Sequence, residues 1–168
     1  FSGYRPMEGF EGYWMMNRLK TPFLLLSDPR LEGGAFYLGS DTFEDNIKNI
    51  IQECLDTLGF TNQELVLSGL SMGTFGAMYY GAKLLPHNII VGKPLASLGS
   101  MAANETLHRP GGFATSLDVL LKSQGDIDDA SVQNLNKRFW DAFGTADFTN
   151  TELDVAYMKQ DDYDMDAY

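Results

Sequence analysis

The sequence is poor in several residue types, and each shortage excludes a class of protein. It has a single cysteine, Cys54, so no disulfide framework can form within the chain, which suits a reducing compartment. Twelve basic residues face 23 acidic ones, for a net charge of −11. Because nucleic acids and anionic membrane surfaces attract basic proteins, neither is an expected partner. No apolar run approaches the roughly 20 residues that span a bilayer, so no transmembrane segment is expected.

The length of the chain, 168 residues, is enough for one domain with a sizeable core. The sequence opens on Phe1 without an initiator methionine and closes on the acidic, aromatic stretch DDYDMDAY. We therefore expect a fragment of a longer protein, in which residues 1–168 form a single domain.

Apolar runs of strand length alternate with helical patterns along the chain. Strands are predicted at 22–28, 64–69, 88–94 and 152–157, and helices at 11–19, 43–58, 72–85, 115–123 and 129–143. Alternation of this kind is typical of a mostly parallel sheet with helices on both faces, a three-layer α/β fold. The stretch 94–112 is the least regular and follows a predicted strand, where substrate loops collect in such folds.

The helix at 43–58 has the clearest periodicity, with apolar residues three or four positions apart from Phe43 to Leu58. Asp41 is the expected N-cap, with Glu44 three residues on as in a capping box. Gly59 is expected to end the helix. In the helix at 129–143, Val132, Leu135, Phe139 and Phe143 share one face.

Residues 69–73 read Gly-Leu-Ser-Met-Gly, a G-x-S-x-G motif. In a nucleophile elbow this motif lies between a strand and a helix, and the predicted elements supply that context here. Gly69 and Gly73 would let the strand and helix backbones pass closely, and Ser71 would take a positive φ. The N–H of Met72 would point at a developing oxyanion. The alternative is a tight turn with an unreactive serine.

The remaining parts of a serine hydrolase site are less clearly marked. The glycine turn of FSGYR predicts Tyr4 N–H as the second oxyanion donor, although an ordinary turn would look the same. In an α/β-hydrolase-like domain, which we expect over residues 1–168, the chain order is serine, then acid, then histidine. The acid is therefore expected after the last strand, with Asp161 as first choice and Asp162 as second. A solvated acidic turn is the alternative. A calcium loop fits poorly because its glycine and bidentate glutamate are absent, so no metal is expected.

Histidine is scarce, and no histidine follows the predicted acid. His87 ends the post-motif helix at the wrong end of the sheet, and His108 lies in the irregular stretch. We interpret both as surface or loop histidines. The expected base therefore lies beyond Tyr168, and the chain as given is expected to be inactive.

Several long strings occur in an order that resembles one family over nearly the whole chain. They are FSGYRPMEGFEGYWMM, PFLLLSDPRLEGGAFYLGS, LSGLSMGTFGAMYYGAKLLPHNIIVGKPLASLG and RPGGFATSLDVLL. The family is the second group of accessory secretory (Asp) proteins, which belong to the accessory Sec system of Gram-positive bacteria. By this resemblance the family's serine corresponds to Ser71 and its acidic partner to the segment that contains Asp161, whereas its histidine has no counterpart here.

The resemblance implies a cytoplasmic protein, peripheral at the accessory translocase. Its implied partners are the other Asp proteins, the SecA and SecY paralogues and the serine-rich-repeat glycoprotein adhesin that they export. The implied activity is O-acetyl transfer to N-acetylglucosamine on the adhesin, or a related esterase reaction. No bound cofactor is implied, because the acetyl donor is a co-substrate of unknown identity. The alternative is a non-catalytic hydrolase fold that serves as a scaffold in the export complex.

Overall fold

The computed structural model describes residues 10, 12–28, 30, 35–108 and 115–160, without the side chains of 105–108 and 115. The helices are α1 (Tyr13–Met16), α2 (Asp41–Leu58), α3 (Met72–Leu84), α4 (Leu98–His108), α5 (Thr115–Gln124) and α6 (Asp129–Thr145), and the strands are β1 (Val66–Leu70), β2 (Asn88–Gly92) and β3 (Glu152–Ala156). A short 3-10 turn, Asn62–Glu64, precedes β1. No helix in these ranges is both long and apolar enough to cross a membrane.

The three strands form one parallel sheet in the order β1-β2-β3. The crossover from β1 to β2 is α3, and the crossover from β2 to β3 carries α4, α5 and α6. The register aligns Leu70 with Gly92 and Gly92 with Ala156, so the three strands end together at one edge. The parallel α/β architecture expected from the alternating elements is confirmed.

The two faces of this sheet differ in burial. On one face Leu67, Ile89 and Val91 are buried, and α3 passes so close that a Cβ on Gly81 would lie 2.4 Å from Ile89 Cδ1. On the other face Leu70 is 70% exposed and Val66 50%. The described residues therefore cover one face of the sheet, and the layer of helices expected on the other face is not formed by them.

The strand predicted at 22–28 is wrong: this segment has no regular secondary structure and pairs with no described strand. The side chain of Tyr37 donates a hydrogen bond from Oη to Leu26 O at 3.0 Å. Asp28, at the end of the segment, is buried. Phe23 and Leu24 are 38% and 42% exposed, so this short apolar run predicted neither the strand nor the burial of its first half correctly.

The prediction of an irregular stretch at 94–112 is also wrong in part, because α4 occupies Leu98–His108. The sequence there contains good helix formers, and its Leu98, Met101 and Ala102 are buried. Gly99 permits the contact with α6, since a Cβ on it would lie 2.1 Å from Val132 O. The helix was missed because its apolar face is short and interrupted by small polar residues.

The end of α2 agrees with the sequence, but its start does not. Gly59 ends the helix at φ 72°, as expected for a left-handed C-cap. The N-cap is Ser40 rather than Asp41, and its hydroxyl accepts from Phe43 N–H at 3.3 Å. Glu44 is 4% exposed and turns inward instead of completing a capping box with Asp41.

Glu44 is the centre of a buried ionic group that we call the Glu44 cluster (Glu44, Tyr79, Lys83 and Arg138). Tyr79 Oη and Lys83 Nζ each donate to Glu44 Oε2 at 2.8 Å, and the Arg138 guanidinium donates to Oε1. Burial would lower the pKa of Lys83, but its bonds to Glu44 and Tyr79 outweigh this and raise it. The cluster joins α2, α3 and α6.

The segment at residues 35–38, before α2, is held by a second polar group. We call this segment the Tyr37 turn. Phe36 and Tyr37 have φ of 53° and 61°, although neither is glycine, and both are buried. The Asp28 carboxylate accepts from Tyr37 N–H at 3.0 Å, and Tyr80 Oη donates to Tyr37 O at 2.7 Å. Arg30 donates to both carboxylate oxygens of Asp28, at 2.7 Å each.

The aromatic core lies between α3 and α6. Phe75 and Phe139 are fully buried, with ring centroids 5.3 Å apart, and Phe139 stacks on Phe143 at the same distance. Leu135 is buried beside them, while Val132 and Phe143 pack against the core partly exposed. The apolar face predicted for α6 is confirmed.

Candidate functional site

Ser71 is the single residue between β1 and α3. Its backbone has φ 53° and ψ −120°, a conformation that non-glycine residues rarely adopt. β1 ends at Leu70 and α3 begins at Met72, so the strand–turn–helix arrangement and the positive φ predicted from the motif are both confirmed. Strain of this kind persists only where the surrounding structure imposes it.

Gly69 explains why the motif needs a glycine two residues before the serine. A Cβ at this position would lie 2.1 Å from Gly73 O and 2.7 Å from Thr74 N, far inside contact distance. Both neighbours are backbone atoms, which a rotamer change cannot move. The strand therefore runs directly against the first turn of α3, as the two motif glycines predict.

Hydrogen bonds hold the main chain of Ser71 on both sides. Its N–H donates to Gly92 O of β2 at 2.9 Å, and its carbonyl accepts from Thr74 N–H at 2.9 Å and from Thr74 Oγ1 at 2.5 Å. The Ser71 hydroxyl and the Met72 N–H have no hydrogen-bond partner among the described residues. The elbow thus presents one hydroxyl and one backbone donor that the described chain does not use.

The other predicted site residues lie outside the described residues. Tyr4, Asp161 and Asp162 are all in this group, so the second oxyanion donor and the acid remain predictions. The position of β3 bears on the acid, because its last residue, Ala156, is aligned through Gly92 with the end of β1. At about 4.8 Å per strand, Ala156 lies roughly 10 Å from the elbow strand, and the chain leaves β3 at the edge that carries Ser71.

The two histidines differ in what the structure shows. His87 immediately precedes β2, is exposed, and donates its N–H to Asn62 O at 2.9 Å. Because the register aligns Val66 with Asn88, His87 lies level with Leu65, at the opposite end of the sheet from Ser71 and roughly 20 Å from it. His108 is the last residue of α4, and its side chain is outside the description.

Several residues that support the elbow were missed from the sequence. Thr74 Oγ1 accepts from Leu95 N–H at 3.0 Å, and Asn136 Oδ1 accepts from Gly99 N–H at 2.8 Å. Trp140 Nε1 donates to Ser97 Oγ at 3.1 Å. The segment after β2 is therefore fixed to α3 and α6. The sequence gives little indication of these roles. Thr74 could have been noticed because it lies three residues after Ser71, but Asn136 and Trp140 lie in no recognisable pattern.

Within the described ranges, no group of three or more histidine, cysteine, aspartate or glutamate side chains could hold a metal ion. The chemistry that the described atoms offer is that of a presented serine hydroxyl next to an N–H donor at the start of a helix.

A family model described as "Accessory Sec system GspB-transporter", which represents the second group of Asp proteins, matches residues 1–168. The chain belongs to this family. It is 54% identical over its whole length to the accessory Sec system protein of the same Asp group from Staphylococcus aureus (strain NCTC 8325 / PS 47), and 53% identical to that of Streptococcus gordonii. It spans about a third of these relatives, 32% and 33% of their lengths.

A solved structure also resembles the chain closely. It is a chain of the Glycosylation Associate Protein (Gap123) complex from Streptococcus agalactiae, with a TM-score of 0.88 and 57% identity. The match covers 92% of this accessory Sec family member and 30% of that chain. The resemblance to the Asp group noted from the sequence is confirmed.

Proposed function

We propose that Ser71 is the nucleophile of an α/β-hydrolase-like site that transfers or removes O-acetyl groups on the glycans of a serine-rich-repeat adhesin. The observation that carries the proposal is the elbow itself: a serine at φ 53° between a parallel strand and a helix, with its hydroxyl unbonded within the described chain. A helix N-cap ordinarily has extended φ and ψ, and the type II′ turn that shares this conformation favours glycine, not serine, at the position. The acetyl chemistry and the glycan target follow from the family resemblance.

In this mechanism Ser71 Oγ attacks the carbonyl carbon of an acetyl ester and loses its proton to a histidine base. The donor's alcohol or thiol leaves with that proton, and an acetyl-serine remains. A sugar hydroxyl or water then attacks the acetyl-serine carbonyl and gives its proton to the histidine, which passes it to Ser71 Oγ as the acetylated sugar or acetate is released. Met72 N–H and Tyr4 N–H would hold the oxyanion, and Asp161, or Asp162 as second choice, would orient the histidine.

The proposed setting is the cytoplasmic side of the accessory translocase, with the other Asp proteins, the SecA and SecY paralogues and the adhesin. What supports this setting is membership of the accessory Sec family together with the similarity to a chain of the Gap123 complex. No bound cofactor enters the proposal, and the acetyl donor acts as a co-substrate.

The test uses a polypeptide of the length of the curated relatives that contains this chain. Turnover of an aryl acetate is compared between this polypeptide, its Ser71→Ala variant and a Ser123→Ala control on the exposed surface of α5. We expect Ser71→Ala to lower kcat by about 10⁴-fold or more and the control to have no effect. Unchanged turnover in Ser71→Ala would favour the scaffold alternative.

The source of the base is tested by chain length. Since His87 lies at the far end of the sheet, we propose that the base comes from residues beyond Tyr168. The 168-residue chain should then be slower than the longer polypeptide by about 10⁴–10⁶ at equal concentration. Comparable Ser71-dependent turnover by the short chain would make His108 the candidate base.

A further inference from the structure

The hydroxyl of Thr74 is buried, and its hydrogen-bond partners among the described residues are main-chain atoms. It lies 2.5 Å from Ser71 O, 3.0 Å from Leu95 N and 3.5 Å from Lys93 O. A hydroxyl has one proton to donate and accepts through its lone pairs. The short contact to Ser71 O therefore takes the proton, while Leu95 N–H donates to the oxygen.

These contacts join two segments that both have unusual backbone conformations. Ser71 has φ 53°, and Lys93, which follows β2, has φ 58°. Such a conformation of a non-glycine residue is strained and persists only where the surrounding structure imposes it. Thr74 lies between the two segments and is bonded to the first and, through Leu95, to the second.

The carbonyl of Ser71 belongs to the same planar peptide unit as the N–H of Met72. In a trans peptide the C=O and N–H bonds point in opposite directions within one plane. Fixing Ser71 O therefore fixes the direction in which Met72 N–H points. The other end of Ser71 is held by its own N–H on Gly92 O at 2.9 Å. With both ends held, the Ser71 Cα–Cβ bond and the Met72 N–H have one orientation.

We propose that Thr74 is a positioning residue that orients Met72 N–H toward the oxyanion through its hydroxyl's bond to Ser71 O. The inference rests on the proposed nucleophile function of Ser71. Because the oxyanion forms only in the transition state, a misdirected donor lowers kcat and leaves KM unchanged. A purely structural role would lower the amount of folded enzyme without changing kcat per labelled Ser71.

The test compares Thr74→Val, which keeps the shape and removes the hydroxyl, with Thr74→Ser, which keeps the hydroxyl. Thr57→Val in α2 is the matched control, because Thr57 Oγ1 also donates to a helix carbonyl, Glu53 O, at 2.7 Å but on the exposed surface. All three are made in the longer polypeptide. Active enzyme is counted by fluorophosphonate titration, and kcat and KM are measured on an aryl acetate.

We expect Thr74→Val to lower kcat by about 10- to 100-fold with KM within about twofold, since small misplacements of catalytic groups have effects of this size. Thr74→Ser should recover to within about threefold of the parent, and Thr57→Val should match the parent. The inference is overturned if Thr74→Val keeps kcat within about threefold, if only KM changes, or if Thr74→Ser is as slow as Thr74→Val.

A second measurement covers a Thr74→Val variant that folds poorly. The affinity for an alkyl boronic acid, which forms a tetrahedral adduct on serine, is measured per titrated site, so unfolded protein does not count. It is measured for Thr74→Val, Thr74→Ser and Thr57→Val. Thr74→Val should bind the boronate about tenfold more weakly per titrated site, whereas equal affinity contradicts the inference. If Ser71→Ala leaves turnover unchanged, the proposed function fails and the inference falls with it; if turnover depends on Ser71 but not on the Thr74 hydroxyl, only the inference fails.

Discussion

The Tyr37 turn and the Ser71 elbow are both strained, but they use strain differently. Tyr37 has φ 61° and Ser71 has φ 53°, and neither is glycine. At Tyr37 the N–H, the carbonyl and the hydroxyl all bond within the protein, to Asp28, Tyr80 and Leu26. At Ser71 the main chain is bonded equally well, yet the hydroxyl bonds to no described residue.

Backbone strain alone therefore does not identify a functional site. The Tyr37 turn is 2% exposed at its central tyrosine and holds the segment before α2 in the core. The Ser71 elbow instead lies at the carboxyl edge of a parallel sheet, where ligands bind in open α/β folds. Strain combined with an unbonded hydroxyl at that edge is what distinguishes the elbow from the Tyr37 turn.

The largest expected effect comes from substitution of Gly69, the glycine of the Ser71 elbow, which has no counterpart in the Tyr37 turn. Gly69→Ala places a Cβ 2.1 Å from Gly73 O, and the main chain must move to relieve the contact. We expect a loss of about 4 kcal/mol or more in the free energy of unfolding, together with loss of Ser71 reactivity. Gly144→Ala is the matched control, since nothing lies within 4 Å of its added Cβ. Chemical denaturation measures both, and equal stability of the two variants would contradict the tight approach.

The next effect concerns the Tyr37 turn. Asp28→Ala removes the carboxylate that accepts from Tyr37 N–H and pairs with Arg30. Breaking a buried pair costs about 3–5 kcal/mol, and we expect about 3 because Arg30 is 36% exposed. Turnover per folded molecule in the longer polypeptide should not change. A loss of kcat with stability intact would mean that the Tyr37 turn belongs to the site.

A smaller effect is expected in the Glu44 cluster. Glu44→Gln leaves Lys83 and Arg138 without their counter-charge, although their side chains are 24% and 29% exposed and partly solvated. We expect a loss of about 2 kcal/mol. Asp141→Asn, which breaks the exposed Lys137 pair, should cost less than about 0.5 kcal/mol. Urea unfolding of the two variants checks the difference. If Glu44→Gln leaves the free energy of unfolding unchanged, the cluster adds no net stability.

The smallest effect is a dependence of stability on alkaline pH. Burial, reinforced by Glu44, raises the pKa of Tyr79 above 10.0, and the pKa of Lys83 is raised above 10.5. A raised folded pKa means that the folded state holds its proton longer than the unfolded chain. The corresponding stability is present below about pH 10 and is lost as pH rises above it.

Thermal unfolding between about pH 9 and pH 11.5 measures this loss. The decline should be shallower in Glu44→Gln, because the carboxylate that adds to burial in raising the pKa of Tyr79, and that raises the pKa of Lys83, is gone. A midpoint that stays constant across that range would contradict the assignment.

The sequence predicted the elbow well because its constraints are local. A glycine two residues before Ser71, a β-like run and a helix start are all within reach of a short pattern, and the positive φ follows from them. The same was true of Gly59 at the end of α2 and of the apolar face of α6. Local steric rules decide these features, so they are readable without the fold.

Features that depend on distant partners were not predictable in this way. The segment at 22–28 looks like a buried strand, yet its polar end is held by Tyr37, which lies in a later turn. Glu44 resembles a capping residue, but Lys83 and Arg138 come from α3 and α6 and draw it inward. Thr74 matters only because Leu95 lies beside it. Such roles depend on tertiary contacts that no local pattern contains.

The most direct test of the central claim is to find which residue reacts as a nucleophile. The longer polypeptide is treated with a fluorophosphonate, digested, and the modified peptide is sequenced by mass spectrometry. The account predicts one adduct per molecule on Ser71, within the peptide that carries GLSMG, and no adduct on the buried Ser97. An adduct on another serine, or none on folded protein that turns over an aryl acetate, would contradict it.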